Sequence, residues 1–84
     1  MTIAEEMEKL EAEIDEKVRN EDKTKGFSDH YYRWWKDLND RCCSIYEKAG
    51  KVNDGSLSDP ISATKWLVRQ IKKLHDFMES CFIA

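Results

Sequence analysis

Two histidines and three cysteines are the side chains of this 84-residue sequence best suited to metal binding or nucleophilic chemistry near neutral pH. His30 and His75 supply imidazole, and Cys42, Cys43 and Cys81 supply thiols. A zinc site needs three or four converging donors, yet neither a Cys-x-x-Cys nor a His-Glu-x-x-His spacing occurs. The expectation is surface or boundary histidines and no metal. A nucleophilic cysteine needs a base or a helix end to lower its pKa, and Cys42 and Cys43 fall in the middle of a helical pattern that offers neither. The sequence also holds no glycine-rich phosphate loop, no serine elbow and no pair of acids set in an apolar pocket. A protein that is not an enzyme and needs no cofactor is expected.

Binding chemistry is better represented. The run Tyr31-Tyr32-Arg33-Trp34-Trp35 has the composition of an interface hot spot, since rigid rings exclude water and arginine supplies directed donors. Tyr32 and Trp34 cannot point the same way on a helix, so one groove cannot bury both. Either Tyr31 and Trp35 are core and the others only widen the core face, or Tyr32, Arg33 and Trp34 are candidate contacts for a partner or ligand. Acidic residues crowd the first helical segment, where Glu8, Glu11 and Asp15 are candidates for docking on a basic surface or for imitating a line of phosphates. Lys65, Arg69, Lys72 and Lys73 form a basic strip, of which Arg69 and Lys73 are candidates for an acidic partner or a phosphate; the competing reading is a solvated face that attracts the acidic first helix.

These side chains need elements to hold them, and the periodicity supplies three. Ile3, Met7, Leu10, Ile14 and Val18 make a narrow stripe that predicts a helix over 3–19, with Thr2 and Glu5 at capping-box spacing. A second helix is predicted over 28–49, with Ser28 as its N-cap, Phe27 stapled on Tyr32, and Gly50 in the left-handed C-cap position. Its seam of Tyr31, Trp35, Leu38, Cys42, Ile45 and Ala49 is widened by Trp34 and Tyr46, and Tyr32 and Cys43 carry the apolar arc to about half the circumference. Asp59-Pro60 opens a third helix over 60–82, whose seam runs through Ala63, Leu67, Gln70, Leu74, Phe77 or Met78, and Cys81. A turn at Asn53-Asp54-Gly55 makes the last two helices an antiparallel hairpin.

Two wide-faced helices and one narrow one predict an all-α fold. It is either a small three-helix antiparallel bundle or a helical hairpin plus an N-terminal helix, completed by oligomerisation if the spare faces seek a second copy. Eighty-four residues make one domain, and so short a chain buries only about 60–65% of its extended surface.

Charge and cysteine usage bound the setting. Residues 1–22 carry nine acidic and three basic side chains, a net of −6, and residues 23–84 carry eight acidic and eleven basic, a net of +3. Overall acidity disfavours a nucleic-acid binder, because phosphate neutralisation supplies most non-specific affinity. No apolar run approaches the roughly 18 residues of a membrane span, and the first residues lack the pattern of a signal peptide. In the predicted hairpin Cys42 and Cys81 lie about 20 Å apart along the axis, too far for a disulfide. Free thiols in a cytoplasmic protein are expected.

The functional expectation is a non-enzymatic interaction module, a small adaptor or a regulatory inhibitor of immunity type, that occupies a surface of a larger protein. A sensor or sequestering protein for a small nucleotide-like ligand, with an aromatic and basic pocket between protomers, is the main alternative; an acidic nucleic-acid mimic is another. A homo-oligomer fits any of these.

Overall fold

The computed structural model describes residues 1–52, 54–57 and 60–83. It contains α1 (Ile3–Asn20), a single 3-10 turn (Lys23–Lys25), α2 (Asp29–Lys51) and α3 (Pro60–Ile83). There is no strand among the described residues, and each helix packs against the other two in an all-α three-helix bundle measuring 42 × 19 × 17 Å.

α1 starts where its sequence says it should. Thr2 Oγ1 accepts from Glu5 N at 3.2 Å while Glu5 Oε1 accepts from Thr2 N at 3.2 Å, which completes the capping box. The two remaining early amides are met from far along the chain. Ile3 N donates to Asp54 Oδ2 at 2.8 Å and Ala4 N to Ser56 Oγ at 3.1 Å. Asp54 is itself braced, because its Oδ1 accepts from Ser56 N and Ser56 Oγ. The orphan donors at this helix end are therefore satisfied by the α2–α3 connection, a partner that local periodicity does not reveal.

The α1 stripe of Ile3, Met7, Leu10 and Ile14 is 4% exposed or less and meets Leu38, Cys42, Ala63, Trp66 and Leu74 in the main core. A second cluster of Tyr31, Phe77 and Cys81 closes the end near the 3-10 turn. Val18, Trp34 and Trp35 pack against both, so the two clusters are continuous.

The hairpin register agrees with a turn at 54–55. Trp35 Nε1 donates to the Leu74 carbonyl at 2.7 Å, and the Tyr46 hydroxyl lies 3.3 Å from Thr64 Oγ1 about three turns of helix away. Gly55 takes a φ of 77°, the left-handed value that glycine adopts without steric cost, and Leu57 tucks half-buried against the main core.

Four local expectations need correction or qualification. Gly50 is not a C-cap: α2 continues through Lys51 and ends at Val52 with φ −118°, where Val52 N donates to Lys48 O. Ser28 stands at the N-cap of α2, but its hydroxyl caps nothing and only its carbonyl joins the helix, by accepting from Tyr32 N at 2.9 Å. The α3 seam is rotated toward α1, so Trp66 and Phe77 are buried while Leu67 and Met78 are half-buried. Asn53 and Asp59, expected in the turn and at the α3 cap, lie outside the described residues.

Candidate functional site

The aromatic run divides in two. Tyr31 and Trp34 turn inward with Phe77, their ring centroids 5.0–6.2 Å apart, and form an inner group in which Tyr31 and Phe77 are buried. The Tyr31 hydroxyl donates to the Asp22 carbonyl, and Lys17 Nζ sits 5.4 Å over the Trp34 ring. Trp34 is thus half-buried in the fold's own packing, with its indole N–H enclosed and unbonded among the described residues.

The outer group consists of Phe27, Tyr32, Trp35 and Phe82. Tyr32 stacks on Trp35 with an interplanar angle of 19°, Phe27 meets both edge-on, and Phe27 and Phe82 lie 6.1 Å apart. Phe82 is 70% exposed and Tyr32 48%. Offset stacks and edge-to-face pairs at these separations are the favoured arrangements of aromatic rings. The result is a preordered, half-open aromatic surface where the link into α2 meets the end of α3. Phe27 and Phe82 are members that hot-spot composition missed; the one signal for Phe27 was its staple spacing to Tyr32.

Arg33 adjoins this surface and has no ion pair among the described residues. An open groove of about 330 Å³ runs beside it, lined by Tyr32, Arg33, Lys36, Asp37 and Asp40. Lys36 and Asp40 pair across it at 3.1 Å.

The remaining candidates are brought together with one another. Arg69 and Lys73 reach Glu11 at 3.2 and 2.7 Å, and Lys73 also reaches Asp15 at 2.8 Å. Glu13 takes both guanidinium nitrogens of Arg41, and Glu6 takes Lys48. Partial burial alone would raise the Glu11 carboxyl, but hydrogen bonds from Arg69 and Lys73 outweigh it and hold the group at about 2. Glu8 alone among the acidic candidates stays exposed without an ion pair among the described residues. The acidic first helix and the basic strip of the third are thus largely spent on fastening α1 to the hairpin.

The thiols are separate and free, with Cys42 and Cys81 buried and Cys43 exposed. Burial pushes the Cys42 thiol up to about 12 and also raises Cys81, conditions under which neither is a nucleophile. Among the described residues no group of three His, Cys, Asp or Glu side chains could hold a metal, and no helix is long and apolar enough to cross a membrane. No protein-family model matches the chain, and neither curated proteins nor solved structures provide a match.

Proposed function

We propose that this chain is a non-enzymatic protein-interaction module, an adaptor or regulatory inhibitor that occupies a surface of a larger protein through its outer aromatic group. The observation that carries the reading is the Phe27, Tyr32, Trp35 and Phe82 cluster, ordered by its own ring contacts and left half-open beside Arg33. Rigid rings bind with little loss of conformational freedom, and Arg33, with no ion pair among the described residues, adds a directional contact at the rim.

Two other readings have less support. A nucleotide-like ligand would use the Tyr32, Arg33 and Lys36 groove, but Asp37 and Asp40 line the same groove and repel phosphate. A nucleic-acid mimic needs a free row of acids, and Glu6, Glu11, Glu13 and Asp15 are already paired within the fold.

The test is chemical cross-linking and affinity capture in the native host with the wild type and a Tyr32→Ala, Phe82→Ala double variant. Both changes fall on exposed rings, so helical content and unfolding midpoint should be nearly unchanged. A protein captured by the wild type and lost with the variant supports the reading. Capture that survives the double change removes the aromatic group from the interface.

A further inference from the structure

α1 lies in a groove of the α2–α3 hairpin that has an apolar floor and two basic rims. Leu38 and Cys42 of α2, with Trp66 and Leu74 of α3, form the floor beneath the α1 stripe. On the α2 rim Arg41 and Lys48 stand seven residues apart and reach Glu13 at 2.6 Å and Glu6 at 2.8 Å. On the α3 rim Arg69 and Lys73 stand four apart and reach Glu11 at 3.2 and 2.7 Å, Lys73 also meeting Asp15 at 2.8 Å. Both spacings return to one face of a helix, so each rim is a basic row. The groove therefore selects a helix with an apolar seam and acids along both flanks. α1 meets that description, and residues 1–22 carry a net charge of −6 against +3 for the rest of the chain.

α1 fills this groove without completing it. The buried side-chain nitrogens and oxygens that lack a hydrogen-bond partner among the described residues all belong to Trp34, Trp66 and Gln70. All three side chains face α1. Lys17 Nζ sits over the Trp34 ring, Trp66 packs in one cluster with the α1 stripe, and the Gln70 carboxamide is near enough to Glu11 to help keep it ionised. The ion pairs along both rims are partly exposed, which makes each of them weak. A helix held by weak rim pairs over unmet buried polar groups is one that a better-fitting helix can replace.

We propose that α1 is the built-in occupant of a docking groove, and that an acidic amphipathic helix of another protein displaces it. The rims and floor specify that helix. It carries apolar side chains at intervals of four, three and four, two acids seven apart on the flank toward α2, and two acids four apart on the flank toward α3, as α1 does with Glu6 and Glu13 and with Glu11 and Asp15. The pairs of Glu11 with Arg69 and Lys73 set Gln70 at the level of Leu10, so a hydrogen-bonding side chain there in the partner's seam meets the amide that α1 leaves unmet. Tyr32, Arg33 and Phe82 take no part, and the groove is thus a second surface beyond the functional reading. Because the partner enters only when α1 is out, its apparent affinity is its intrinsic affinity multiplied by the fraction of molecules in that state.

The probe is a dye-labelled peptide of residues 1–21, titrated into the full chain and read by fluorescence anisotropy. Asp54→Ala removes the acceptor of Ile3 N, and Glu13→Gln removes the ion pair to Arg41. Neither change touches the groove wall, and both weaken the hold of α1. Each should bind the peptide more tightly than the wild type, by about tenfold where the population with α1 out rises tenfold. Circular dichroism checks that the helices persist; Glu13→Gln, on a partly exposed side chain, carries the test if Asp54→Ala does not fold. A peptide with Glu6, Glu11, Glu13 and Asp15 all changed to Lys should not bind. No binding to any variant overturns the proposal, as does equal affinity for the wild type and both variants, or binding of the lysine peptide. A Tyr32→Ala, Phe82→Ala chain should take the peptide as the wild type does, and loss of binding there moves the site to the outer aromatic group and also overturns it. Peptide exchange without capture of a larger protein upholds the groove and sinks the functional reading; capture through Tyr32 and Phe82 without peptide exchange does the opposite.

Discussion

The Trp35 indole N–H donates to the Leu74 backbone carbonyl at 2.7 Å, and this one bond locks the height of α2 against α3. Leu74 is fully buried beneath it. Trp35→Phe keeps a ring in the outer aromatic group and removes the donor. A loss of about 0.5–1.5 kcal/mol in unfolding free energy is expected from denaturant titration. No loss at all would mean that the bond contributes nothing to the register.

Gln70 is 0% exposed, and neither its Oε1 nor its Nε2 reaches a partner at hydrogen-bond distance and angle among the described residues, although it lies near enough to help keep Glu11 ionised. An unmet buried amide costs about 1–3 kcal/mol. Gln70→Leu should therefore raise the denaturation midpoint. A lower midpoint would show that the carboxamide is bonded in solution.

Acid should loosen α1. Glu11 is an ordinary glutamate, near 4.5, in the unfolded chain and sits at about 2 in the fold, held there by Arg69 and Lys73. Its folded value is depressed, so its contribution is complete above about pH 5 and disappears as pH falls toward 2. Asp54 behaves in the same sense, lowered to about 2 by its bonds from Ser56 and Ile3 N. Glu11→Gln should flatten the stability profile between about pH 5 and pH 2, read from midpoints at a series of pH values. A profile with unchanged slope would leave the Glu11 pairs without energetic weight.

Thiol labelling should be ordered. Cys43 is exposed and should react with iodoacetamide in the native protein, whereas Cys42 and Cys81 should react only after denaturant is added. Mass spectrometry of timed samples separates the three sites. Labelling of Cys42 at the rate of Cys43 would mean that α2 detaches readily.

Much of the architecture was legible because burial imposes periodicity. The three expected helices, 3–19, 28–49 and 60–82, differ from those observed by two residues or fewer at any end. Seam positions such as Leu38 and Leu74 were plain for the same reason. Cap details were less so: Gly50 looked like a stop signal, but its neighbours carry enough helical preference to run past it, and glycine in a helix interior costs only about 1 kcal/mol. The aromatic run could not be apportioned beforehand, since Trp34 turns inward and Tyr32 outward according to where Phe77 and Phe27 lie in space. Likewise, Arg69 and Lys73 read as a basic strip, and only the packing of α1 shows that Glu11 and Asp15 neutralise them.

The amides of Ile3 and Ala4 are met by Asp54 and Ser56, about fifty positions onward. Until the hairpin connection is in place those two first-turn amides have only water to meet them, and an 18-residue helix of this composition has little persistence alone in water. Assembly should be ordered in time, with the hairpin forming first and the N-terminal helix arriving last. Asp54→Ala should accordingly speed unfolding while leaving the refolding rate nearly untouched in stopped-flow measurements. The bend between the two long helices therefore acts as a latch, and whatever pulls on it frees the opposite extremity of the sequence.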